Sequence, residues 1–240
     1  LTFIKKKTPE MRLLLVFLFI SSTWAQLPDH TLFSPVLEDL LNDKGLVDYQ
    51  KLSTHREPLI NYLNELITHP PGKDWSEEEV MAYWINSYNA FTLKLIADHY
   101  PVKSIRAISN PWTREFIPWN GRQISLDYME HQILRKMNDP RIHFAINCAS
   151  VSCPVLLEKP YLGKSLNVQL DQAAFNFIND KERNHITPDQ LHLSKIFKWF
   201  RKDFTGEGSL LKFISDYSSV DIHPGAGIDY LEYNWDLNEQ

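Results

Sequence analysis

The sequence predicts one α+β domain, mostly helical with a small β-sheet and preceded by a signal peptide. Three observations support this reading. A long amphipathic run with a capping signal at its start reads as a helix from Ser76 to about His99, and several shorter helical runs follow it. The strand-like segments are brief and scattered. No repeat, low-complexity tract or inter-domain linker separates these elements. At 240 residues, 43% hydrophobic and 23% charged, the chain is long enough to bury a sizeable core and too apolar to be disordered.

Taken in order, the N-terminus carries a basic stretch (Lys5, Lys6, Lys7, Arg12) and then an apolar run, Leu13 to Ile20, that is too short to span a bilayer. Thr23 and Ala25 then supply the small residues of a cleavage site. Residues 1–25 are therefore expected to be a signal peptide cut after Ala25, with the mature chain periplasmic or extracellular, where disulfides persist. Loss of those four cations together with Glu10 takes the net charge from −5 to −8, which argues against nucleic acid as a partner. No later apolar run reaches transmembrane length, so no membrane span is expected after signal removal.

Residues 26–74 read as a helical lead-in. Leu32 to Leu41 is amphipathic, and Leu52 to Thr68 is a helix with Leu59, Tyr62, Leu63 and Leu66 on one face, broken by His69-Pro70-Pro71-Gly72. The main domain is expected over residues 75–238. Ser76 and Glu79 form a capping box. Behind it, Val80, Trp84, Tyr88, Phe91 and Leu95 make an apolar stripe. Asn86 and Asn89 share a face of this helix, and two mediocre helix formers on one turn point to tertiary hydrogen bonding. Gly121 to Ile124 reads as a strand, and Ser125 caps a helix to about Met137 that sets Glu130 at the edge of the core, where a carboxylate needs a partner. Ile142 to Ile146 reads as a buried strand feeding the cysteine loop. Helices are expected over 163–179, 196–203 and 210–217, and short strands over 191–193 and 228–233.

Chemistry concentrates around the only two cysteines. Cys148 and Cys153 are five apart and not in a C-x-x-C motif, which disfavours a thioredoxin-like pair. Three readings remain open: a local disulfide closing the loop, a nucleophilic thiolate that requires a site lowering its pKa, or a pair of buried, unreacting thiols. In the second reading the base is His143 or His131, oriented by Glu130. No H-E-x-x-H, paired C-x-x-C, Gly-rich phosphate loop or G-x-S-x-G motif is present, so neither a metal nor a cofactor is expected.

Several motifs occur together: Trp84-Ile85-Asn86-Ser87-Tyr88-Asn89-Ala90, Glu130-His131, the run from Arg141-Ile142-His143-Phe144 to Cys153-Pro154, Asp203-Phe204, and the closing Tyr233-Asn234-Trp235-Asp236-Leu237-Asn238. Together they resemble the domain of unknown function 547 family, over Trp75 to Asn238. The resemblance implies fold more than function, since the family brings no established activity. Its plant relatives carry serine where Cys153 stands, which implies that a disulfide there is not general to the family. Asn234 departs from the aspartate more usual at its position.

Two functional expectations follow. One is thiol-based hydrolysis or acyl transfer, with Cys153 the nucleophile, His143 the base (His131 the alternative), Glu130 the orienter and Asn86 a polar stabiliser. The other is a non-catalytic binding or interaction domain, with a small molecule or peptide as the ligand class considered, in which Asn86, Asn89 and Cys148 belong to a structural polar cluster and Cys148 pairs with Cys153.

Overall fold

A computed structural model describes residues 26–206 and 208–240; the expected signal peptide, residues 1–25, lies outside the described residues. The architecture is α+β: helices around two adjoining apolar cores, with one two-stranded and one three-stranded sheet.

The first core forms around the capped helix. Helices α1 (Ser34–Leu40), α2 (Tyr49–Thr54) and α3 (Glu57–Thr68) come from the lead-in and pack with α4 (Glu77–His99). Phe33, Tyr49 and Tyr62 join this core fully buried, so the lead-in is an integral part of it. The single helix predicted over 52–68 is two, because Pro58 presets the start of α3 just after α2 ends. α4 begins at the predicted capping box: the Glu79 N–H donates to Ser76 Oγ at 3.1 Å and the Ser76 N–H to Glu79 Oε2 at 2.8 Å. Three glutamates in its first turn complement the helix dipole. From Met81 to Leu93 every residue of α4 is buried, so the expected stripe is in fact a helix enclosed all round.

Strands β1 (Ile117–Trp119) and β2 (Arg122–Ile124) form an antiparallel hairpin. Its two-residue turn is Asn120-Gly121, with φ of 48° and 74°, the left-handed pair that matches the twist of the flanking strands. Ser125 caps the next segment by accepting from the Tyr128 N–H at 3.1 Å, as expected. The predicted helix does not stay regular: α5 (Leu126–Tyr128) widens into a π-turn over Met129–Ile133, then tightens into a 3₁₀ turn over Leu134–Met137.

The strand predicted over 142–146 is absent. Pro140–Phe144 is a 3₁₀ turn, started by the Asp139 carboxylate accepting from the Arg141 N–H at 2.9 Å and by Pro140, whose ring presets a helical φ. Local capping overrides the apolar run, yet the run is buried as expected, with Ile142 entering the first core and Phe144 the second.

The second core lies among α6 (Leu166–Asn179), β3 (His185–Ile186), β4 (Gln190–Leu193), α7 (Ile196–Trp199), α8 (Arg201–Phe204), α9 (Leu210–Tyr217) and β5 (Gly227–Tyr230). β3 runs antiparallel to β4, and β4 parallel to β5 with Leu191 opposite Ile228. Rings of Phe144, Phe177, Phe197, Phe204 and Phe213 pack against one another here. Gly163 lets the chain entering α6 press on the start of α4, where a Cβ would lie 2.6 Å from Glu79 Cγ. Among the described residues no helix is long and apolar enough to cross a membrane.

α4 ties two loop segments to itself through side-chain amides. Asn89 Nδ2 donates to the Ala145 carbonyl at 2.9 Å, and its Oδ1 accepts from the Asn147 N–H at 2.8 Å. Asn86 grips Tyr161 in the same two-point way, at 2.7 and 2.9 Å. Replacing Asn89 by Ala strands a buried N–H and a buried carbonyl together, and is expected to lower the unfolding free energy by about 2–4 kcal/mol. Half-exposed Lys94→Ala, which loses only an i,i+4 pair with Asp98, is expected to stay within about 0.5 kcal/mol of wild type. Urea denaturation measures both, and an Asn89→Ala loss below about 1 kcal/mol contradicts the clamp.

Candidate functional site

At the seam of the two cores lies a cleft of about 350 Å³. Its buried lining includes Tyr88, Glu130, His143, Ile146, Cys153 and Tyr233, and its more exposed lining includes Trp112, Asp127, His131, Trp199, Phe200 and Trp235. Three indoles on one cleft are not scattered: Trp112 and Trp199 each pack on Trp235, at ring-centroid distances of 5.6 and 5.7 Å, and Tyr233 lies 4.5 Å from Trp235.

The cysteine loop forms one side. Beyond the Asn89 clamp, the Asn147 side chain closes the loop on itself, donating to the Pro154 carbonyl at 2.6 Å and accepting from the Ala149 N–H at 2.7 Å. Ala149 sits at φ 59°, a left-handed conformation unfavourable for a residue with a Cβ. Arg183 donates to the carbonyls of Cys153 and Val151 at 2.8 and 3.1 Å. The C-terminal tail brackets the loop, with the Val151 N–H on the Asp236 carbonyl at 2.9 Å and the Asn234 N–H on Ser152 Oγ at 2.9 Å. Cys148 and Cys153 are joined in a disulfide. Of the readings left open by the sequence, the structure holds the disulfide-bonded form.

His143 is held by a residue to which the sequence reading gave no role, Asp203. Its Nε2 lies 2.8 Å from Asp203 Oδ2, and its ring stacks on Phe200 at 4.0 Å. Burial alone would raise the Asp203 carboxyl, but the bidentate Arg135 guanidinium (2.6 and 2.8 Å) and His143 outweigh it and hold the group well below the ordinary carboxylate range. An ionised Asp203 only accepts, so Nε2 carries the proton and Nδ1 keeps the lone pair. Burial pushes the His143 pKa down against the pull of Asp203, so the ring is neutral at pH 7. Arg135 also donates to His131 Nδ1 at 3.0 Å, and His131 Nε2 lies 3.4 Å from Asp127 Oδ1. A continuous polar relay, Asp127–His131–Arg135–Asp203–His143, therefore runs beside the cleft.

Glu130 is buried, and the hydroxyl of Tyr88 on α4 donates to its Oε2 at 3.5 Å. Burial, opposed by Arg135, raises its pKa from the ordinary 4.5 to about 7. Burial also holds the Tyr88 phenol well above its ordinary range, so it remains a donor.

Of the residues singled out in the sequence, Cys148, Cys153, His143, His131 and Glu130 converge on the cleft. Their expected wiring differs: Asp203, not Glu130, positions His143, and among the described residues neither histidine hydrogen-bonds a sulfur. Asn86 and Asn89 are not among the cleft-lining residues; both hold backbone with their amides, and Asn86 Nδ2 also lies 3.3 Å from His30 Nδ1. Asp203, Arg135, Tyr233 and the three tryptophans were not read as site residues, although Asp203, Tyr233 and Trp235 lie in motifs that carried the family resemblance.

Residues 72–178 match the family model described as "Protein of unknown function, DUF547". No curated protein and no solved structure matches the chain.

Glu130 makes the stability of the fold depend on pH in a definite sense. Its native pKa lies above its unfolded value, so the native state binds the proton more tightly and stability falls as pH rises from about 4.5 to about 7. Between about pH 5 and 8, wild type is expected to lose roughly 2–3 kcal/mol more than Glu130→Gln, which has no proton to release. Parallel pH–stability curves for the two proteins contradict this placement of the carboxyl.

Proposed function

The chain belongs to the DUF547 family through residues 72–178, and from that premise we propose an exported, periplasmic or extracellular domain that binds a small molecule or peptide group in the aromatic cleft. One observation carries the reading: Glu130 and His143 are buried on the wall of the aromatic cleft, where burial raises the carboxyl to about 7, so that it is protonated below that pH, and pushes the imidazole below its ordinary value. A protonated Glu130 offers an O–H donor, and His143 Nδ1 offers an acceptor. Together they complement a carboxamide, which presents one carbonyl and one N–H, while Trp199 and Trp235 suit a flat apolar ring beside it. The amide clamps then act as scaffold, so that a rigid loop meets the ligand.

A second reading, thiol-dependent hydrolysis or acyl transfer, is favoured by one feature. His143 and Asp203 form an oriented base in the same cleft as Cys153. It requires the disulfide to be open and the ring to reach the sulfur.

Calorimetry and tryptophan fluorescence with N-acetylated aromatic amino-acid amides separate the two. The binding reading expects saturable binding to the oxidised protein, loss of it in Trp199→Ala, and about tenfold weaker affinity well above pH 7, where Glu130 loses its donor proton. It also expects no turnover of activated esters that depends on Cys153. Absence of binding to the oxidised protein, with ester turnover appearing on reduction and vanishing in Cys153→Ala, would reverse the order of the readings. N-terminal sequencing of the exported protein is expected to begin at Gln26.

A further inference from the structure

We propose that the Cys148–Cys153 disulfide is an exchange site for an external thiol, with Cys148 as the sulfur attacked and Cys153 as the sulfur that leaves. The sequence spacing disfavours a thioredoxin-like pair, and the inference rests instead on the surroundings of the two sulfurs. They are not equivalent. Cys148 is half-buried while Cys153 is buried, and both line the cleft. Cys153 Sγ has three donors around it: the Cys148 N–H at 3.0 Å, the Tyr233 hydroxyl at 3.2 Å and the Ser150 hydroxyl at 3.3 Å. Ser150 has a single proton to give and lies 3.1 Å from the Tyr233 oxygen, so the Cys148 N–H and the Tyr233 hydroxyl can both face the sulfur at once. Burial pushes the Tyr233 phenol up to about 12, which keeps it a donor throughout the neutral range. Cys148 Sγ has no backbone N–H donating to it among the described residues, only the same two hydroxyls at 3.3 and 3.5 Å. Donors gathered on one sulfur stabilise negative charge there and make it the better leaving group.

A structural staple is the ordinary role for such a bond. Here the loop is already held by Asn89, Asn147, Arg183 and the C-terminal tail, and a ring this short removes little freedom from the unfolded chain.

In the step, RSH gives its proton to solvent and RS⁻ attacks Cys148 Sγ. An RS–Sγ bond forms as the Sγ–Sγ bond breaks, and the electron pair leaves on Cys153 Sγ. The external sulfur is oxidised into the mixed disulfide and Cys153 is reduced to a thiolate, held by the Cys148 N–H and Tyr233. One equivalent per chain needs no other oxidant. The thiol enters past tryptophans and Asp127 on an acidic chain, which favours an uncharged peptide thiol with an apolar neighbour over anionic glutathione.

The experiment uses the mature oxidised protein, the neutral peptide N-acetyl-Phe-Cys-amide and, in parallel, glutathione, with acid quenching and mass-spectrometric mapping. The expected result is a mixed disulfide on Cys148, formed without denaturant at least about tenfold faster with the neutral peptide and slowed about tenfold or more in Tyr233→Phe. A disulfide that opens only in denaturant, a mixed disulfide on Cys153, or a folded Tyr233→Phe protein reacting at the wild-type rate would each overturn the proposal. Glutathione reacting as fast as the peptide overturns the assigned thiol class. Should Tyr233→Phe not fold, the wild-type map decides alone. Amide binding that survives in Cys148→Ser/Cys153→Ser keeps the ligand-binding reading separate from this one.

Discussion

A polar group buried without a partner costs free energy, and α4, enclosed on every side from Met81 to Leu93, leaves only the small hydroxyls of Ser87 and Thr92 without one among the described residues, while Tyr83, Asn86, Tyr88 and Asn89 each find a partner. Asn86 takes the backbone of Tyr161, Asn89 takes the entry to the cysteine loop, and Tyr88 takes the Glu130 carboxyl. Each partner belongs to a segment with little regular structure of its own. The requirement to satisfy these three side chains is what fixes those segments in space. The cleft exists because the cysteine loop and the irregular Glu130 segment are both tied to one rigid rod.

Electrostatics at the site follow from the same enclosure. Asp203 keeps its charge because Arg135 meets it with a two-point bond, and that charge in turn dictates which nitrogen of His143 holds a proton. Glu130 has no such bidentate partner; Arg135 acts on it only through its field, and burial wins. Two carboxyls near one guanidinium thus end in opposite states, one ionised and one protonated at pH below about 7. An acid and a base that are both uncharged suit recognition of a neutral polar group better than capture of an ion.

Much of this was legible in the sequence where local chemistry decides. The Ser76/Glu79 box and the helix over Leu210–Tyr217 appear as predicted, and the asparagine pair on α4 makes the tertiary bonds its poor helix propensity implied. The strand assigned to 142–146 was wrong because an apolar run of five has no period to distinguish a strand from a turn. The decisive signal, Asp139-Pro140, stood just ahead of it. Asn120-Gly121 is a hairpin signal that was present and not used. The His143–Asp203 pair spans 60 residues, and no periodicity reports a contact of that reach. Asp203 stands out in the sequence only as part of a motif shared with the family, and that motif assigns it no role.

Recognition of a neutral group in the cleft depends most directly on the protonation state of Glu130 in the folded protein. A carbon-13 carboxyl NMR titration of Glu130, with Glu130→Gln to assign the resonance, reads it without reference to any ligand. A midpoint of about 7 is the expected result. A midpoint at the ordinary 4.5 would mean a charged, solvated carboxylate in the cleft, and would contradict both the enclosure of the site by α4 and the neutral-ligand reading built on it.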